Sequence, residues 1–224
     1  MTKNISQDRN SISLLIAATL LLLGCQPAYY YAMEQFGVHK RDLLVKWVQK
    51  ARDSQKEAKE QFKSALEQFS SVVNVEGGQL QQKYKQLNTE FEASESKAED
   101  VHDRITKVED VAKALFKEWE SELKQYSNDK MRKISQQKLT VTQRQYTTLI
   151  GAMKRAEKSI EPVLSTFKDQ VLFLKHNLNA QAIASIQGEL VSVESDVASL
   201  ISDMEASIQE ADTFIRNMSQ EKAS

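Results

Sequence analysis

The sequence predicts an all-α protein, an elongated antiparallel coiled coil or up-down-up-down bundle of four long helices. Three observations lead to this prediction. The 224 residues include only 6 glycines and 2 prolines, a composition that favours long helices. Apolar residues recur at seven-residue spacing, as in helices that pack by heptads. Three short polar interruptions leave four segments of roughly 40 to 48 residues, each about 60 to 70 Å long if helical.

The chain begins with what resembles a bacterial lipoprotein signal peptide. Residues 1–9 are polar and residues 12–23 form an apolar run, which at about 12 residues is too short to span a bilayer core. Gly24 and the lone Cys25 follow this run, as at the cleavage site of a secretory signal. The string Leu-Leu-Gly-Cys resembles a lipobox, although Leu23 stands where a smaller residue is usual. We therefore expect residues 1–24 to be removed.

The lipobox resemblance implies a covalent lipid anchor and no other cofactor. Cys25 is expected to carry a diacylglyceryl group on its thiol and an acyl chain on its amine, and several acyl chains on one residue hold a protein stably at a membrane. Gln26, rather than aspartate, comes next, and by resemblance to sorted lipoproteins this favours the periplasmic face of the outer membrane. The alternative is a secreted protein with one free cysteine, which is a liability in an oxidising compartment.

A linker at residues 25–30 leads into a predicted helical domain at residues 31–224. The first helical segment covers about 31–73, and Asn-Val-Glu-Gly-Gly at 74–78 gives the clearest helix stop signal. Its alanines predict a close approach of neighbouring helices. The two heptad positions are Leu44, Ala51, Ala58, Ala65 and Val72, and Val48, Gln55, Phe62 and Phe69.

The second segment, Leu80 to Tyr126, has the most regular heptads. Twelve of its fourteen core positions are apolar in a chain that is 41% hydrophobic, so chance is a poor explanation. Ser127-Asn128-Asp129 then supplies turn and N-cap residues. The fourteen positions are Tyr84, Phe91, Ala98, Ile105, Ala112, Trp119 and Tyr126, and Leu80, Leu87, Ser94, Val101, Val108, Leu115 and Glu122.

The third and fourth segments continue the pattern. The third ends near His176 and contains Pro162, which is expected to kink it, and residues 177–179 form the last turn. In the fourth, only Ser207 is polar among the core positions. These positions are Leu139, Tyr146, Met153, Ile160, Phe167 and Leu174 in the third segment, and Ile183, Leu190, Val197, Met204, Ala211 and Met218 with Ile186, Val193, Leu200, Ser207 and Phe214 in the fourth.

Several stretches resemble a known family. They are VVNVEGGQLQQKYKQLN, the region around VEDVA at 108–112, LFKEWESELKQYSN and FKDQVLFLKHNLNAQAIASIQGEL. Together they are similar to the proteobacterial lipoprotein family catalogued as domain of unknown function 2959, over nearly all of the mature chain. The resemblance implies the localisation and the helical fold, but that family has no assigned activity and no known functional residues.

The sequence gives no sign of catalytic or metal-binding chemistry. His39, His102 and His176 are isolated, and no metalloprotease, phosphate-loop or nucleophile-elbow motif is present. A single cysteine leaves no intramolecular disulfide, and acidic pairs such as Glu99-Asp100 fit a solvated helix face better than a catalytic cleft. The net charge of −1 does not point to nucleic acid. We expect a non-enzymatic protein without a metal site.

Alternating helices would bring the start of the first segment and the turn at 127–129 to the same end of the bundle, near the membrane. Tyrosine rings are enriched at lipid headgroups, and basic residues are attracted to anionic lipid. The alternative for the tyrosines is that they begin the first helix and pack on the end of the bundle. The candidates for membrane contact are Tyr29, Tyr30, Tyr31, Lys40, Arg41, Lys130, Arg132 and Lys133.

The opposite end would carry Val75 beside the VLFL run at 171–174, which is apolar on all sides. A helix needs such a run only where several of its faces are buried. Ordinary end-of-bundle core is one interpretation, and a surface that docks a partner is the other. The candidates for partner contact at this end are Val75, Leu172, Phe173 and Leu178.

These features predict a non-enzymatic, outer-membrane-anchored periplasmic lipoprotein that acts as a helical spacer, scaffold or adaptor for an unidentified envelope protein. The alternative is a phospholipid-binding or membrane-remodelling helical hairpin protein that assembles into homo-oligomers.

Overall fold

The structure, a computed structural model, describes residues 39–73 and 79–223. The chain divides into two compact units, Met1–Leu43 and Leu44–Ser224. The first unit is described only from His39, where the Leu43 N–H donates to the carbonyl oxygen of His39 at 3.0 Å. The second unit contains the helical bundle. The predicted signal peptide and the predicted stop at 74–78 lie outside the described residues.

Four helices account for almost all of the described chain. They are α1 (Lys40–Val73), α2 (Leu80–Leu123), α3 (Asp129–His176) and α4 (Ala180–Ala223). Between 39 and 73 and between 79 and 223 there is no strand. The all-α prediction is confirmed, and α2 ends three residues before the predicted Tyr126.

Asparagine side chains build the two described turns. Asn128 is the N-cap of α3, where its side-chain oxygen accepts from the backbone N–H groups of Lys130 at 2.9 Å and Met131 at 3.2 Å. Asn179 does the same for α4 by accepting from the Ala182 N–H at 3.0 Å. These bonds satisfy backbone donors that have no partner within a helix. The predicted turns are therefore confirmed.

The helix α3 runs through Pro162 without interruption. Proline has no N–H group, so one carbonyl in the preceding turn loses its bond along the helix. On its other side the Pro162 carbonyl accepts from the hydroxyl of Thr166 at 3.0 Å.

Neighbouring helices are antiparallel. In successive polar pairs between two helices, the residue number increases along one helix and decreases along the other. Between α1 and α2, Lys97 pairs with Glu57 at 2.6 Å, and Lys83 donates to Ser71 at 3.2 Å. Corresponding links join α1 to α4, α2 to α3 and α3 to α4. They are Arg52–Asp212 at 2.7 Å, Lys154–Glu109 at 2.6 Å and Ser159–Asp203. The helices form the predicted up-down-up-down bundle.

The heptad residues form the core. All nine predicted core positions of α1 from Leu44 to Val72 are fully buried. The ring of Phe167 on α3 stacks between Phe62 at 6.4 Å and Phe69 at 6.1 Å between centroids. These contacts join α1 to α3 through the core.

One layer of the core is polar. Gln55 on α1 and Ser207 on α4 are fully buried, and the Ser207 hydroxyl donates to Oε1 of Gln55 at 2.7 Å. Nε2 of Gln55 is also buried and has no hydrogen-bond partner among the described residues. Two ion pairs, Arg52–Asp212 and Lys59–Glu205, flank this layer at the surface.

The sequence extended the core too far along α2. Tyr126 and Glu122 were predicted at core positions, but both are exposed. The reason is that α2 ends at Leu123, so Tyr126 lies in the turn, off the heptad face, and Glu122 lies on the last helical turn. The last buried residue of α2 is Leu123.

Candidate functional site

The residues Lys124–Lys138, named here the α2–α3 tip, form the most exposed part of the bundle. Every residue from Lys124 to Ile134 is exposed. Between Leu123 on α2 and Leu139 on α3 no residue is buried.

An apolar stripe on α3 continues onto the α2–α3 tip. Met131, Ile134 and Val141 are 54%, 43% and 45% exposed. Because 18 residues make about five helical turns, Met131 has the same angular position as buried Leu149, and Ile134 the same as buried Ala152. The face of α3 that forms the core inside the bundle thus stays partly apolar in the α2–α3 tip, where Ser135 and Lys138 share it with Met131 and Ile134.

The α2–α3 tip is also strongly basic. It contains five basic residues and one acidic residue, Asp129. Asp129 pairs with Arg132 at 2.8 Å, and the four lysines form no ion pair with another described residue. The nearest carboxylates on α2 are Glu122, which is exposed, and Glu120, which accepts from Gln143 at 3.2 Å. The lysines of the tip are Lys124, Lys130, Lys133 and Lys138.

Specific contacts hold the α2–α3 tip in place. Nε1 of Trp119 on α2 donates to the hydroxyl of Ser135 at 2.8 Å. Just below, the rings of Phe116 and Tyr146 meet edge to face at 5.4 Å. Burial, with a smaller contribution from the Glu109 carboxylate, raises the pKa of Tyr146 to about 12, so its phenol is neutral at physiological pH. The tip is an ordered surface of lysines and apolar side chains.

The structure places some of the predicted membrane-contact residues. Lys130, Arg132 and Lys133 are exposed on the α2–α3 tip, and their contact with a membrane stays a prediction. Lys40 and Arg41 are half-buried in the first turn of α1, within the first unit. The predicted lipidation residue Cys25, the sorting residue Gln26 and the tyrosines at 29–31 lie outside the described residues.

Met131, Ile134 and Val141 are not among the residues predicted from the sequence to form the core or a contact surface. Their mutual spacing of three and seven residues was a visible signal for one apolar helix face. It went unused because the heptad line through Leu139 and Tyr146 already accounted for the core of this segment.

At the other end of the bundle, where α3 meets α4, the VLFL run is divided between core and solvent. Val171 and Leu174 are buried, whereas Leu172 and Phe173 are exposed, with Phe173 at 38%. Leu178 in the following turn is also exposed. Val75 lies outside the described residues. The end-of-bundle interpretation holds for two residues of the run, and two others are available for contact.

Two open grooves run along α1, one towards α4 and one towards α2. The first is lined by Lys56, Lys59, Glu60, Glu205, Ile208 and Gln209, and the second by Lys56, Glu57, Glu60, Gln61, Ser64 and Lys97. Their charges serve mainly as links between helices, because Lys59 pairs with Glu205 at 3.3 Å and Lys97 with Glu57. These grooves offer cross-helix ion pairs rather than an enclosed binding site.

His102 and Glu157 form a further link, between α2 and α3. Nδ1 of His102 lies 2.5 Å from the Glu157 carboxylate. That hydrogen bond, with the attraction of the same carboxylate, raises the pKa of His102. In the described part of the chain no three His, Cys, Asp or Glu side chains are grouped so that they could hold a metal ion. No helix there has an apolar stretch long enough to cross a bilayer.

A comparison with protein families identifies the chain. The family described as "Protein of unknown function (DUF2959)" matches residues 29–218, and the chain belongs to it. The comparisons with curated proteins and with solved structures give no match.

Proposed function

We propose that this DUF2959 protein is a non-enzymatic lipoprotein that acts as a helical spacer, scaffold or adaptor, anchored on the periplasmic face of the outer membrane. The Leu-Leu-Gly-Cys string at 22–25 supports the anchor, with Cys25 as the acylated residue. Gln26 supports the location. The partner is an envelope protein.

The separation between the two ends of the bundle carries the spacer proposal. Within the second unit, α3 runs from Asp129, at the end where α2 meets α3, to His176, at the end where α3 meets α4. At 1.5 Å per residue these ends are about 70 Å apart. A lipid anchor upstream of Leu44 would fix one end and leave Leu172, Phe173 and Leu178 at the other end available to a partner.

Substitution of Cys25 tests the anchor. We expect Cys25→Ser to abolish incorporation of labelled palmitate, because the thiol is the sole acyl acceptor, and to leave the protein unprocessed or released from the membrane. Gln26→Asp, as the matched variant that keeps the thiol, should still be labelled but should remain in the inner membrane on density-gradient fractionation. Equal palmitate labelling of Cys25→Ser and the unsubstituted protein contradicts the lipoprotein proposal.

Site-specific photo-crosslinking in cells tests the adaptor role. A photoreactive amino acid at Phe173 is expected to capture an envelope protein. The same group at Thr147, which is exposed on α3 and lies 26 residues before Phe173, is the matched control and should capture none. If both positions give the same products, the end where α3 meets α4 has no selective partner and the adaptor role is wrong.

A further inference from the structure

We propose that the α2–α3 tip is a docking surface for anionic phospholipid. In this arrangement Met131 and Ile134 enter the headgroup layer, and the lysines around them bind lipid phosphates. This contact belongs to the folded bundle and does not depend on acylation of Cys25, so it goes beyond the anchor of the proposed function.

The apolar residues give the first argument. Met131 and Ile134 share their angular positions with core residues Leu149 and Ala152, yet they are about half exposed. Tyr126 adds an exposed ring in the adjoining turn. Aromatic and aliphatic side chains at the end of an ordered hairpin are suited to the boundary between headgroups and acyl chains.

The charges give the second argument. The chain as a whole has a net charge of −1, whereas the α2–α3 tip has five basic residues and one acidic residue. Lys130 borders the apolar stripe and Lys138 lies on it, seven residues after Met131 and four after Ile134, and neither forms an ion pair with another described residue. A basic surface beside exposed apolar side chains complements the phosphates and the acyl boundary of an anionic membrane.

The size of the α2–α3 tip favours a membrane over a protein partner. The exposed surface consists of 15 residues at one turn and the start of one helix. A standard protein interface buries about 800 Å² on each partner with roughly 20 to 30 residues a side. A lipid surface needs no such area, because a few apolar side chains and several cations suffice for interfacial binding.

An environment-sensitive fluorophore on the full chain tests this proposal. In a Cys25→Ser background, Ile134→Cys is labelled with a nitrobenzoxadiazole group and mixed with phosphatidylcholine vesicles that contain or lack phosphatidylglycerol. We expect a blue shift only with phosphatidylglycerol. The label at Leu172→Cys, exposed at the other end, should not shift. Vesicle binding by the apolar run at 12–23 does not need anionic lipid, so the vesicles without phosphatidylglycerol control for it.

Charge reversal supplies a matched pair of variants. The tip variant combines Lys130→Glu, Lys133→Glu and Lys138→Glu, and we expect it to need at least about tenfold more phosphatidylglycerol vesicles for the same shift. The control combines Lys85→Glu, Lys168→Glu and Lys175→Glu, which makes the same charge change at exposed lysines near the other end and should titrate like the parent. Circular dichroism checks that both remain helical.

Four outcomes would overturn the proposal. The label at residue 134 could stay unshifted although sedimentation shows that the protein is bound to anionic vesicles. It could shift equally with phosphatidylcholine alone, which would remove the role of the lysines. A shift without vesicles that grows with protein concentration would assign the tip to a second copy of the chain. Blue-shifted emission from the label at residue 134 in the absence of vesicles, unchanged by protein concentration, would mean that another segment of the same chain covers the α2–α3 tip.

Discussion

Replacing Gln55 with leucine is expected to stabilise the bundle. Gln55 is fully buried, accepts one hydrogen bond from Ser207, and has a buried Nε2 with no partner among the described residues. A buried donor without a partner costs about 1–3 kcal/mol, whereas a typical hydrogen bond contributes about 0.5–1.5 kcal/mol. Gln55→Leu removes both, so the free energy of unfolding should rise by up to about 2 kcal/mol.

The Ser207 hydroxyl does not lose its only possible acceptor in this variant. Buried Ser94 and Thr142 donate to carbonyls four residues earlier in their own helices, at 2.7 and 2.9 Å. Ser207 can do the same towards the carbonyl of Asp203. The removal of Gln55 therefore leaves no new buried group unsatisfied.

The opposite change is expected from Ser207→Ala. It leaves both the oxygen and the nitrogen of the Gln55 carboxamide buried without partners, which should cost about 1–3 kcal/mol. Equilibrium unfolding in urea measures both variants, with an unchanged denaturant slope as the check that only stability has changed. The double variant should resemble Gln55→Leu, because alanine is harmless once the carboxamide has gone.

The signs of the stability changes in Gln55→Leu and Ser207→Ala show whether the Gln55 carboxamide lacks a hydrogen-bond partner in solution. If Gln55→Leu lowers the free energy of unfolding by more than about 1 kcal/mol, or if Ser207→Ala is as stable as the parent, the carboxamide is satisfied in solution. The polar layer would then be a net source of stability, and the reasoning from the orphan donor would be wrong.

Two further predictions concern contacts between helices. Phe167→Ala should lower the free energy of unfolding by about 3–5 kcal/mol, because its ring is buried between two others, while Phe173→Ala, at a partly exposed ring, should cost much less; equal losses in denaturant would contradict the assigned packing. The His102–Glu157 pair should stabilise the fold below about pH 6.5, the ordinary histidine pKa, and lose this contribution as the pH rises through the raised pKa of folded His102. Because His102 is 65% exposed, the effect should be small, and a pH profile of stability for His102→Gln that parallels the parent's would show that the pair contributes nothing.

Most of the fold could be predicted from the apolar heptads, because buried residues recur periodically along the helices of a bundle. Each core position of α1 could be predicted, and Gln55 and Ser207 were visible as polar exceptions. The contact between Gln55 and Ser207 could not be predicted, since it depends on the axial register of α1 and α4. That register is set by packing between residues that lie more than a hundred positions apart, and no local pattern encodes it.

The α2–α3 tip was only half predicted for the same reason. Its lysines and arginine stand out in the sequence, which is why Lys130, Arg132 and Lys133 were predicted to contact a membrane. The exposure of Met131 and Ile134 depends on which part of α3 the rest of the protein covers, and heptad spacing does not show this. Heptad spacing also predicted that Tyr126 lies in the core. The spacing of apolar residues in the sequence continues past Leu123, the residue at which α2 ends.

The placement of α1 between α2 and α4 has a mechanical consequence. A force applied at Leu44 along the axis of α1 would load this helix in shear, so that it slides past its neighbours. The Arg52–Asp212, Lys59–Glu205 and Lys97–Glu57 links, together with the stacked phenylalanines, would then share the load and have to break at nearly the same moment. Peeling α1 sideways would break them one after another at much lower force. A protein held in this way resists tension along the bundle while it yields readily to a pull across it.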